Sequence, residues 1–183
     1  MKRTTASLAF SFLCAAALSG SHAFAQDKAA TEGNALDSFV GDGTCTGNLL
    51  MAMGKTPAHA TTAKYHGEKT LDGLWVVVHY DEDQTAANPK PYHVQQYFGY
   101  DADTKRYIAV AFDNSGAGYS LGTSAGWKGD TFTVDEHESM DDKAVSYRDV
   151  FTRTGSGMSS HTGTMKDKNG NWVKTDHEDC KSS

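Results

Sequence analysis

From residue 43 to residue 179 the chain reads strand, turn, strand with almost no interruption, and this leaves very little room for any fold with helices in it. No segment after residue 41 keeps an apolar 3.6-residue period long enough to form a helix. The candidate strands are 43–53, 58–70, 73–82, 91–100, 106–113, 117–126, 130–138, 144–153, 158–167 and 171–179. Between them lie turn-forming residues: Asp72-Gly73, the run 101–105, Asn114-Ser115-Gly116, the run 128–130 and Asn169-Gly170. Asn-Gly and Asp-Gly pairs tolerate the positive φ that tight hairpins need. About ten short strands at this spacing predict an antiparallel meander rather than β-α-β units.

Alternation assigns faces to these strands, because side chains point to opposite sides of a sheet with a period of two. In 92–100, Tyr92, Val94, Phe98 and Tyr100 share a face, with His93, Gln95 and Tyr97 opposite. Ile108, Val110 and Phe112 form the expected apolar face of 106–112, Phe132 and Val134 that of 132–136, and Val145, Tyr147 and Phe151 that of 145–151. A sheet that is apolar on one face must cover it. An up-and-down barrel does so and removes the unpaired edges as well. The fold expected is therefore all-β, an antiparallel up-and-down barrel of about eight to ten strands, with a two-sheet sandwich as the alternative. Gln96, Glu136 and Asp149 interrupt otherwise apolar faces, and a buried polar group needs a partner. They either form an internal network or touch a bound molecule. With Phe98, Phe112 and Tyr147 they make up the expected ligand-binding lining, whereas Arg148 alternates to the outside.

The N-terminus bears on where such a barrel works. Lys2 and Arg3 precede an apolar stretch from Leu8 to Leu18, and Ala23-Phe24-Ala25 has the small-x-small form of a cleavage site. The stretch is shorter than the roughly 20 residues of a membrane span. The expectation is a signal peptide over 1–25, a flexible leader over 26–34 and one domain over 35–181 that opens with a short helical turn at 35–40. The mature protein would be periplasmic or secreted, with no membrane span. Cleavage removes two of the 17 basic residues and none of the 23 acidic ones, taking the net charge from −6 to −8. An acidic chain of this kind is no nucleic-acid binder. It also removes Cys14, leaving Cys45 and Cys180, and two cysteines in an exported chain are expected to pair.

Catalytic signals are weak. Gly118-Tyr-Ser120-Leu-Gly122 has the form of a hydrolase nucleophile elbow, but the residues that follow cannot make the helix that the elbow requires. Seven histidines survive cleavage, at 59, 66, 79, 93, 137, 161 and 177, and none shows a metal-ligand spacing. His137, between Glu136 and Glu138, is the best metal candidate and reads better as a surface residue. The acidic runs at 101–107 and 167–171 lack the glycine and distant glutamate of a calcium loop and read as turns. No metal and no catalytic residue is expected.

Several segments carry a resemblance: 39–47 opening the first strand, Leu71-Asp-Gly-Leu-Trp75, Phe98-Gly-Tyr-Asp101, Phe112-Asp-Asn-Ser-Gly116, 123–129 and Asp179-Cys-Lys181. On these, the chain from about Ala35 to Lys181 resembles exported bacterial proteins with a lipocalin-like barrel, similar to domain of unknown function 1579. The usual lipocalin-like opening has Gly-x-Trp. Here Cys45 lies near where the Trp would be, which favours Cys45 as a tether to Cys180. The resemblance implies a fold and supplies no catalytic residues. A more distant resemblance to nitrobindin-like barrels implies haem as an alternative, with His161 or His177 as its ligand. The function expected is binding of a small apolar or amphipathic molecule inside the barrel, the alternatives being haem binding or a non-catalytic interaction barrel.

Overall fold

The structure is a computed structural model, and it describes residues 32–52, 56–115, 119–140, 143–155 and 157–183. The expected signal peptide, most of the leader and Gly118 of the elbow-like motif lie outside the described residues. Eleven strands follow a 3₁₀ turn at Asn34–Phe39: β1 Gly41–Leu49, β2 His59–Thr70, β3 Trp75–Glu82, β4 His93–Asp101, β5 Arg106–Asp113, β6 Tyr119–Ser124, β7 Trp127–Lys128, β8 Thr131–Met140, β9 Lys143–Thr154, β10 Gly157–Lys166 and β11 Trp172–Ser182. Each long strand pairs antiparallel with its sequence neighbour. The sheet closes where β1 meets β11, and β6 bypasses the two-residue β7 to pair with β8. Ten long strands thus form a closed up-and-down barrel.

The turns behave as their residues predict. Leu71, Asp72 and Gly73 take φ of 49°, 59° and 81° in succession, a path for which the glycine at its end is suited. Asp101 accepts from the backbone N–H of Asp103 (2.9 Å) and the Thr104 hydroxyl (2.7 Å). Asp167 accepts from the N–H groups of Asn169 (2.8 Å) and Asn171 (2.9 Å). Both are self-bonded turns rather than cation loops.

Cys45 and Cys180 are direct register partners on β1 and β11 and form a disulfide, so the covalent link spans the seam where the first strand meets the last. Glu32 and Asn34, assigned to the leader from sequence, are tied to the barrel: Tyr107 donates to the Glu32 carboxylate (2.8 Å) and Lys69 to the Asn34 side chain (3.2 Å).

One end of the barrel is filled. The 3₁₀ turn inserts Leu36 and Phe39, both buried, among inward-facing aromatics. Phe39 stacks on Phe98 at 4.6 Å between centroids and meets Phe132 (5.4 Å) and Phe151 (5.2 Å) edge-on. Those geometries suit aromatic quadrupoles, and each such side chain stabilises the fold by roughly 1.5–3 kcal/mol through burial. Trp127 holds the turn down by donating to the Ala35 carbonyl (2.7 Å). Gly67 on β2 lets the plug pass: a Cβ there would run into the Phe39 carbonyl and come within 3.3 Å of the Val40 Cα.

The face expected for β5 is corrected. Tyr107 and Ala109 point inward and are buried, while Phe112 is 51% exposed on the outer surface. The segment Tyr107-Ile108-Ala109-Val110-Ala111-Phe112 is apolar on both faces, so alternation offers no contrast there. Packing decides instead. Ala109 lies opposite Phe98 on β4 and Gly122 on β6, within the buried apolar cluster.

Candidate functional site

The other half of the interior is polar. Its centre is His161 on β10, flanked by β9 and β11. Its Nε2 lies 3.0 Å from Asp149 Oδ1 and its Nδ1 3.1 Å from Asp176 Oδ1. Both ring nitrogens face carboxylates, which accept only, so both must carry protons and the ring is an imidazolium. Burial disfavours that charge, but the fields of Asp149 and Asp176 and their hydrogen bonds outweigh it and hold the His161 pKa well above the ordinary histidine value. Burial acts on Asp176 in the opposite direction to its partners. The His161 charge and hydrogen bonds from His161, Thr175 and Tyr147 win, leaving its carboxyl far below the usual carboxylate range.

Local backbone features build this arrangement. Between β10 and β11 the register jumps, Gly163 pairing with Asp176 and Thr164 with Lys174, so Thr175 is an unpaired bulge residue. The bulge turns the fully buried Thr175 hydroxyl inward beside Asp176. Tyr147 OH then bonds to both, at 2.8 Å to Thr175 Oγ1 and 2.8 Å to Asp176 Oδ2. Gly163 donates its N–H to Asp176 Oδ1 (3.1 Å). A side chain at Gly163 would land on the Asp176 carboxylate and the Tyr147 hydroxyl, so glycine is what leaves room for the cluster.

Glu178 is buried directly opposite His161 in register and accepts a hydrogen bond from Tyr80 OH. Burial, then the charge of Glu178, pushes the Tyr80 phenol far above its ordinary value, so it stays a donor. Three carboxyl groups, Asp149, Asp176 and Glu178, therefore surround a single imidazolium. Across the barrel Gln96 donates to Glu136 Oε1 (3.2 Å).

At the start of β2 and the end of β3 sits a second clasp. His59 donates from Nδ1 to the Pro57 carbonyl (2.7 Å) and from Nε2 to Glu82 Oε1 (2.6 Å). Asn88 and the Tyr92 N–H donate to Glu82 Oε2 at 2.7 and 2.9 Å. Burial lowers the His59 pKa, but the Pro57 and Glu82 bonds and the Glu82 charge together raise it above the ordinary value.

Of the residues singled out in the sequence, Gln96, Glu136, Tyr147 and Asp149 come together in this polar half. Phe98 lies in the aromatic plug, and Phe112 lies outside the barrel. Sequence reasoning missed Tyr80, Asp176, Glu178 and the His59–Glu82 pair. A signal for two of them existed: once Cys180 faces inward to meet Cys45, alternation turns Glu178 and Asp176 inward too.

Other chemistries fit less well. Ser120 sits within β6, not at a strand-to-helix turn, and its buried Oγ has no hydrogen-bond partner among the described residues. His137 is exposed on the outer face, and among the described residues no group of three or more His, Cys, Asp or Glu side chains is placed to hold a metal ion. The residues do not fit a haem either. Both His161 nitrogens are engaged by carboxylates, and His177 bonds Thr162 (2.7 Å) with its side chain 41% exposed. Among the described residues, no helix is long and apolar enough to cross a membrane.

A family model described as "Protein of unknown function (DUF1579)" matches residues 28–179. No curated protein matches the chain.

Proposed function

Because the chain belongs to the DUF1579 family, whose description assigns no activity, we propose from the site itself that it is an exported, non-catalytic binding barrel for a small amphipathic molecule with a cationic end. The observation that carries this reading is the imbalance inside the barrel, three carboxyl groups around one imidazolium. Buried carboxylates are stabilised by opposite charge, and a ligand ammonium supplies what the protein lacks.

Solvent access supports the same half. His161 and Asp176 face inward, yet their side chains keep 21% and 17% of their exposure, whereas Leu36, Phe39 and Phe132 at the plugged end keep almost none. Among the described residues, the buried hydroxyls of Thr61 and Ser120 have no hydrogen-bond partner, which suits a polar guest. The negative charge of the whole chain favours approach of a cation. Export is supported by the signal-like N-terminus and by the Cys45–Cys180 disulfide, a bond that persists in oxidising compartments.

Titrating the mature protein with dodecylamine, dodecanol and dodecanoate tests the reading. Dodecylamine is expected to bind, dodecanoate to fail, and Asp176→Asn to weaken the amine about tenfold or more. Equal binding of all three, or of none, would overturn it.

A further inference from the structure

We propose that the outer face of β3–β6 carries a saccharide-binding groove with Phe112 as its platform. This site is independent of the barrel interior. The register places His79, Gln95, Phe112 and Tyr119 in one row across the four strands, all pointing outward. Phe112 and Tyr119 are 51% and 61% exposed, with ring centroids 6.3 Å apart, and Tyr97 meets Phe112 edge-on at 6.4 Å. Contiguous exposed aromatic surface of this kind marks an interaction site more often than chance. Beside Phe112 is a concavity of about 370 Å³ walled by His79, Asp81, His93, Gln95 and Asn114. It is open to solvent, a surface groove rather than an enclosed pocket.

The free polar atoms select the ligand class. Asp81 uses Oδ1 to pair with His93 Nδ1 (2.7 Å), which leaves Asp81 Oδ2 and His93 Nε2 without partners among the described residues. Gln95 accepts through Oε1 from Tyr97 (3.3 Å), leaving its amide N–H groups for a guest. His79 has no hydrogen-bond partner among the described residues, and its ring contact is with His66 at 6.4 Å. Unused donors and unused acceptors therefore stand side by side, next to an aromatic face. Asp81 is held by His93, and Asp113 accepts from Tyr92 OH (3.1 Å) and the Ser115 N–H (2.7 Å), so both carboxylates have hydrogen-bond partners within the protein. An anion would be repelled by both, and a wholly apolar guest would strand the amide and imidazole groups. A neutral pyranose satisfies all of these demands at once. Its hydroxyls both donate and accept, and its C–H face lies on an aromatic ring.

The test titrates the mature protein with chitotetraose, cellotetraose and maltotetraose, followed by calorimetry and by chemical shifts of the aromatic side chains. At least one is expected to bind with a Kd of about 1 mM or tighter, and Phe112→Ala to weaken it about five- to tenfold. Val173→Ala, on the exposed surface of β11 and away from β3–β6, is expected to leave it unchanged. Three results would overturn the assignment: no binding of any probe up to about 10 mM, undiminished binding by the Phe112 variant, or sedimentation showing a dimer that Phe112→Ala dissolves.

Discussion

His161 on β10 and Asp176 on β11 meet at 3.1 Å inside the barrel, each shifting the other's titration in the direction that keeps both charged. The linkage follows from those directions. The raised His161 pKa contributes stability that is fully present below the unfolded histidine value, about 6.5, and is lost as pH rises through the higher folded value. The lowered Asp176 pKa contributes stability that is present above the unfolded carboxyl value, about 3.9, and is lost as pH falls towards the folded one. The pair therefore supports the fold most between about pH 4 and 6.5. Urea unfolding across pH is expected to show stability falling on both sides of that window. Asp176→Asn is expected to flatten the acid side.

Removing the cation should be worse than removing one acid. His161→Gln leaves Asp149 and Asp176 facing each other without a charge between them, an uncompensated arrangement that costs about 3–5 kcal/mol. The deficit is expected to shrink below about pH 4, where protonation relieves the repulsion. Denaturant midpoints of the variant at neutral and acid pH check this. An equal deficit at both would contradict it.

Phe39 fills the apolar end, so Phe39→Ala is expected to destabilise the barrel by about 3–5 kcal/mol. It should also open a cavity among Phe98, Phe132 and Phe151. An apolar dye such as 1-aminoanthracene should then bind to the variant and not to the parent protein. Leu121→Ala, on the exposed outer face, should show neither effect.

The Cys45–Cys180 bond closes a separation of 135 residues. In the chain-entropy description, so long a loop stabilises the fold by up to about 5 kcal/mol. The double variant Cys45→Ala/Cys180→Ala is expected to lose about 2–5 kcal/mol by denaturant unfolding while keeping its strand content by circular dichroism.

Much of this fold is legible in the sequence, because its turns carry their own chemistry and its strands alternate. Asp72-Gly73, Asp101 and Asp167 mark hairpins through local bonds that need no knowledge of the rest of the chain. Closure was legible too, since no edge is left for a one-sided sheet. Where local contrast vanishes alternation misleads: β5 is apolar on both faces, and the pattern points Phe112 inward when the inward residues are Tyr107 and Ala109. The polar half was half legible. Gln96, Glu136 and Asp149 stood out as polar residues on apolar strands, but β11 is polar on both faces, so Asp176 and Glu178 did not. His161 takes its character from two carboxylates on two other strands, and the Thr175 bulge that aims one of them depends on a register jump that no single strand reveals.

The central claim is that a charged histidine sits among acids in the solvent-reached half of the barrel, and ¹⁵N NMR of its ring tests this most directly, with His161→Gln supplying the assignment. At about pH 8, where an ordinary histidine is neutral, both ring nitrogens of His161 are predicted to remain protonated and to show the imidazolium shift. A neutral tautomer, with one nitrogen bare and the ring titrating near 6.5, would contradict the account.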